Sequence, residues 1–136
     1  MKITLTGEES IRLEPTLGPL TIEALSRDQG YSAFHMLASA LASCTFAVLQ
    51  SWGSNKDVHI DDVKIDITWR FVEGEHRVEK MDVRLQWPSL PPELWPRALR
   101  AAHVCGIHQT LTHPVAIDVE AVGAQSPAIE TSGTAR

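Results

Sequence analysis

Hydrophobic and polar positions alternate along the first two dozen residues. Ile3 and Leu5, Ile11 and Leu13, then Leu20 and Ile22 are apolar, punctuated by Gly7 and the Pro15 to Pro19 stretch. A period of two places such residues on one face of a strand, so the pattern predicts a small antiparallel meander over Lys2 to Glu23. The period changes after the polar loop Ser26 to Gly30. From Ser32 to Leu49 nearly every position is apolar or small, including Phe34, Met36, Leu37, Leu41, Phe46 and Val48. This predicts one helix, apolar all round and therefore buried. A membrane span wants about 20 predominantly apolar residues. His35, Ser39, Ser43 and Thr45 interrupt the run, which favours a core helix.

Alternation then returns. Val63, Ile65, Ile67, Trp69 and Phe71 share one strand face opposite Lys64, Asp66, Thr68 and Arg70. Met81, Val83, Leu85 and Trp87 likewise oppose Lys80, Asp82, Arg84 and Gln86, and Glu73-Gly74-Glu75 turns one strand into the other. A long hairpin is expected. A second helix is predicted to start near Pro91, where proline in the first turn loses no hydrogen bond it needed. Leu94, Ala98, Ala101 and Cys105 recur at helical spacing, which puts Cys105 on the apolar stripe of that helix. A short third helix is expected over Ile107 to Leu111. Val115, Ile117, Val119 and Ala121 make a last strand. The order is α+β rather than a repeating βαβ one. Residues 1–122 are read as a single domain, and the small, polar segment 123–136 as a disordered C-terminal tail.

Composition narrows the partners. A chain of 136 residues suits one core. The net charge of -5, from 12 basic and 17 acidic residues, argues against nucleic acid or an anionic membrane surface. The first residues lack the apolar segment and cleavage site of a secretory signal, so a cytoplasmic location is expected. Two cysteines in a reducing compartment are read as free or catalytic thiols rather than a structural staple.

Those two thiols, Cys44 and Cys105, have unlike surroundings. A reactive cysteine needs a cation, a helix start or a hydrogen bond to lower its pKa. Cys105 has His103 and His108 close by, and Gly106 allows the backbone to turn there. Cys44 lies mid-helix among Ala40, Leu41, Ala47 and Val48, a lining that raises a thiol pKa. Inert packing of either thiol as a small hydrophobe is an equal alternative on spacing alone. A zinc set of His103, Cys105, His108 and His113 is a weaker rival, because no second ligand pair accompanies it.

The run Leu37-Ala38-Ser39-Ala40-Leu41-Ala42-Ser43-Cys44-Thr45, followed by Cys105-Gly106-Ile107-His108-Gln109-Thr110-Leu111 and Pro114-Val115, resembles the OsmC/Ohr family of thiol-dependent hydroperoxide reductases. The resemblance runs from Tyr31 to Val122. It implies an OsmC-like fold, with antiparallel sheets around a long buried central helix in an intertwined homodimer. It also implies that an organic hydroperoxide oxidises Cys44 to a sulfenic acid, that Cys105 resolves it as a disulfide, and that a dithiol reductant reopens the bond. No cofactor or metal is implied.

The sequence departs from that pattern in two places. The family's peroxidases carry a glutamate near the start of the cysteine-bearing helix, partnered by an N-terminal arginine; here the stretch reads Ala33-Phe34-His35-Met36. Arg12 and Arg27 are the arginines before Cys44, and no motif assigns either to that role. His35 offers a charge, although a histidine beside an apolar face is ordinarily structural. Gly106 also stands where the family usually has proline. A non-catalytic OsmC-like dimer that binds a small apolar ligand at its interface is therefore the alternative function.

Overall fold

The computed structural model describes residues 1–123 and 130–132. Strands β1 (Lys2–Gly7) and β2 (Ser10–Glu14) form an antiparallel hairpin, and β3 (Thr21–Ala24) follows. The helix α1 (Ala33–Asn55) leads to a second hairpin, β4 (Lys64–Phe71) and β5 (Val78–Gln86). A 3-10 turn at Pro92–Leu94, helices α2 (Trp95–Ala102) and α3 (Gly106–Thr112), and strands β6 (Ile117–Val119) and β7 (Glu130–Ser132) complete the chain. The α+β class is as expected.

One five-stranded sheet has the order β3-β1-β2-β4-β5, and β6 pairs with β7 in a separate antiparallel ribbon. The N-terminal strands are not a plain antiparallel meander, because β3 runs parallel to β1, with Lys2 opposite Thr21 and Leu5 opposite Ala24. The second edge of β2 is occupied by β4, with Ile11 opposite Ile67. The returning chain must therefore take the outer edge of β1. Segment 15–20 carries it there around the first residue: the Met1 amine donates to the Thr16 carbonyl at 2.7 Å, and Thr21 N–H to the Met1 carbonyl at 3.1 Å.

The inner sheet face carries Ile3, Leu5, Ile11, Leu13, Val63, Ile65, Ile67 and Trp69, all buried. Against it lies one stripe of α1: His35, Ala38, Ser39, Leu41, Ala42, Thr45, Leu49 and Gly53. The other face of α1 is open in the single chain, with Met36 54% exposed and Ala40 and Ala47 also exposed, so the helix is not buried all round. By length and composition α1 could cross a membrane, yet its stripe packs into the core. It runs past Leu49 and ends where Lys56 and Val58 N–H groups donate to the Gly53 carbonyl and Asp57 turns into the left-handed region at φ 59°.

Two expectations at the C-terminal end need correction. The helix α2 stops at Ala102, so Cys105 does not lie on its stripe. The amides of Val104 and Cys105 bond three residues back, to Ala101 and Ala102, and this tightening breaks the helix before the spacing reaches Cys105. The tail read as disordered from Gly123 contributes a strand at Glu130–Ser132, paired with β6. Residues 124–129 and 133–136 lie outside the described residues.

Candidate functional site

Helix α1 carries Cys44 near its middle, on the side where α3 begins. Cys105 is fully buried and is the N-cap of α3, its sulfur accepting from His108 N–H at 3.4 Å. Both thiols are free, and each shifts the ionisation of the other. Burial pushes the Cys44 thiol up, but hydrogen bonds from the Cys105 thiol and from the Ile107 and Gly106 amides outweigh it and leave Cys44 below the ordinary cysteine value. Burial also pushes Cys105 up, and its bond to Cys44 adds to the rise, against smaller opposing bonds from the His108 and Ile107 amides. The pair therefore separates into a thiolate-prone sulfur and a thiol that donates to it.

None of the groups that lower Cys44 is a cation. Arg12 sits on the outer sheet face and is committed to Asp66, through Nε at 2.6 Å and Nη2 at 3.2 Å. Arg27 lies in the exposed loop before α1. His35 is buried and structural. Its Nε2–H donates to the Gly7 carbonyl at 3.0 Å, which fixes the tautomer, so Nδ1 accepts from the Ser32 N–H at 3.2 Å and Oγ–H at 2.7 Å. Ser32 Oγ accepts from His35 N–H in return, closing a capping box at the start of α1.

The histidines weighed as zinc ligands do not assemble a metal set, although the His103 and His108 rings lie 4.9 Å apart. His103 donates Nδ1–H to the Leu99 carbonyl and His113 does so to that of Gln109. The described residues hold no group of three or more histidine, cysteine, aspartate or glutamate side chains set for a metal.

Beside the thiols lies a feature that periodicity did not reveal. A groove of about 380 Å³ runs between α1, β5 and α3, walled by Leu37, Leu41, Val78, Met81, Val83 and Leu111, with His108 also in its lining. Leu41 sits about one helical turn before Cys44, and His108 follows Cys105 by three residues, so the groove shares α1 and α3 with the thiols. The apolar alternation of β5 was the available signal, but it could not tell a core face from a groove wall.

The family profile described as OsmC-like protein matches residues 26–120, which is most of the chain and includes both thiols. The chain belongs to this family. The OsmC-like fold is also that of a solved Psychrobacter arcticus 273-4 structure, a protein assigned to osmotic stress induction and the detoxification response. That structure is 15% identical, covers 79% of this chain and 84% of its own, and superposes with a TM-score of 0.54. No curated protein matches the sequence. Within the OsmC-like frame, the two cysteines of the resemblance are the two that the fold brings close enough to shift each other's ionisation.

Proposed function

We propose that this protein is a thiol-dependent peroxidase that reduces organic hydroperoxides, with Cys44 attacking and Cys105 resolving. The observation that carries the reading is the neighbouring pair of thiols, one shifted toward thiolate and the other away from it. A thiolate is the nucleophile toward peroxide, and a neighbouring thiol catches the product before it over-oxidises. The Cys44 thiolate attacks the terminal peroxide oxygen: the S–O bond forms, the O–O bond breaks, and the substrate leaves as an alcohol. Cys105 then displaces water from the sulfenic acid to form the disulfide. Two electrons from a dithiol reductant restore both thiols. The groove receives the organic substituent, and its aliphatic walls favour an apolar one. The working unit is a homodimer in the cytoplasm, with no nucleic acid or membrane partner.

A second reading is supported by the same groove: a non-catalytic dimer that holds a small apolar ligand, consistent with the absence of a cation among the groups that lower Cys44. Turnover separates the two. Under the peroxidase reading, purified protein consumes cumene hydroperoxide with dithiothreitol as reductant, and Cys44→Ser reduces the rate to background. Cys105→Ser allows one oxidation per Cys44 but little recycling. If total thiol content is unchanged after exposure to peroxide, the binding module is the better description.

A further inference from the structure

Cleaving the O–O bond leaves an electron pair on the substrate's alkoxide oxygen, and a proton supplied there lowers the barrier. We infer that His108 is the acid that protonates this leaving oxygen, an assignment that rests on the peroxidase reading. Four residues in the groove lining carry a proton-exchanging or hydroxyl group: Glu79, Lys80, His108 and Thr112. Three are engaged elsewhere. Glu79 accepts from Arg70 at 2.7 Å, Lys80 pairs with Asp82 at 3.0 Å, and Thr112 Oγ1 donates to the His108 carbonyl at 2.8 Å. The His108 ring makes no hydrogen bond among the described residues; its contact is a tilted packing on His103, with centroids 4.9 Å apart.

Position supports the role. The His108 backbone N–H caps the Cys105 sulfur at 3.4 Å, and Cys105 neighbours Cys44 closely enough to shift its ionisation. His108 thus belongs both to the groove lining and to the turn that caps Cys105, and imidazole is the side chain best suited to exchanging protons near neutrality. In the step, the Cys44 sulfur forms its bond to the terminal oxygen, which keeps its hydrogen, and becomes the sulfenic acid. The cleaved bond's electrons go to the alkoxide, which takes a proton from His108 and leaves as alcohol. Overall, the proton that the Cys44 thiol sheds on ionising is the one the alcohol carries away.

The test compares two substrates whose leaving groups differ in their need for a proton. Cumene hydroperoxide expels an alkoxide, whereas peracetic acid expels acetate, which is stable without protonation. With His108→Gln and His108→Asn, kcat/KM for cumene hydroperoxide should fall about a hundredfold, within the usual range for loss of a general acid. The value for peracetic acid should stay within about threefold, and the rate of Cys44 alkylation by iodoacetamide should be unchanged. Equal losses on both substrates, or no loss on either, would overturn the assignment while leaving the peroxidase reading intact. A wild-type protein that consumes neither substrate would overturn both.

Discussion

Replacing His35 with alanine separates a structural histidine from an activating one. The side chain is 3% exposed and ties two places together: Ser32, where α1 starts, and Gly7, where β1 ends. Alanine removes the half of the capping box made by Nδ1 and keeps the residue-35 N–H on Ser32 Oγ, a loss of about 1 kcal/mol. It removes the bond to the Gly7 carbonyl, about 1 kcal/mol or somewhat more. It also deletes the edge-on contact with the Trp69 ring at 5.1 Å, about another 1 kcal/mol. Together the loss is about 3–4 kcal/mol, inside the usual range of about 2–5 for large-to-small changes in a core. For a chain of this size that lowers Tm by about 10–15 °C, measurable by circular dichroism or calorimetry. His35 lies nine residues before Cys44, about 13 Å along the helix, so folded His35→Ala should react with peroxide at the wild-type rate when assayed below its melting range. A Tm within about 3 °C of wild type together with a peroxide rate at background would refute the structural role and make His35 an activating group.

Other outcomes follow from the same contacts. Arg12→Ala should cost about 1 kcal/mol or less, because the Arg12–Asp66 pair lies on a partly exposed sheet face, and should leave peroxide turnover unchanged; a rate at background would assign Arg12 to the thiol site. Because the Cys44 pKa lies below the ordinary cysteine value and that of Cys105 above it, iodoacetamide should label Cys44 first as pH rises, with its plateau at a lower pH than for free cysteine. Peptide mapping that finds equal labelling at every pH would contradict the split. Leu49→Ala, at a fully buried position, should cost about 2–5 kcal/mol in urea unfolding.

The parts legible in the sequence are those where one face of an element meets the core and the other meets water. In β4 the apolar set Ile65, Ile67 and Trp69 is buried as alternation required, because the polar residues between them face outward. Helix α1 carries no such contrast. Its apolar residues continue round the cylinder, so periodicity located the helix without saying which stripe packs on the sheet. The parallel seat of β3 depends on bonds around Met1 and on β4 occupying β2, neither of which leaves a periodic mark. Helical spacing from Leu94 to Cys105 continued across a break that the backbone makes at Ala102. The thiol pair was visible only through family resemblance, since no local pattern brings together residues this far apart in the chain. The groove beside them draws on three elements and was not legible at all.

The departure at Gly106 carries the last prediction. A cation is absent from the groups that lower Cys44, and one donor among them is the Gly106 N–H. Proline, the family's usual residue there, has no N–H to give. Glycine at this position thus keeps an N–H that helps to lower the Cys44 thiol, in a chain that lacks the family's glutamate. Gly106→Pro tests this with little threat to the fold. Position 106 is the first residue of α3, where proline is well tolerated, and Cys105 at φ -50°, ψ 127° already has the extended backbone that a following proline requires. Gly106→Ala is the control: an added Cβ meets nothing within 4 Å, and the amide is kept. A hydrogen bond to a charged acceptor is worth about 1.5 kcal/mol at the low end, or about tenfold in thiolate fraction. The less acidic sulfur regains about threefold in intrinsic nucleophilicity. Alkylation of Cys44 in Gly106→Pro should therefore slow about threefold near neutral pH, with its pH profile displaced upward, while Gly106→Ala keeps the wild-type profile. Coincident profiles for the proline variant and wild type would show that the Gly106 amide does not stabilise the thiolate, and the activation of Cys44 would then rest on Ile107 and Cys105.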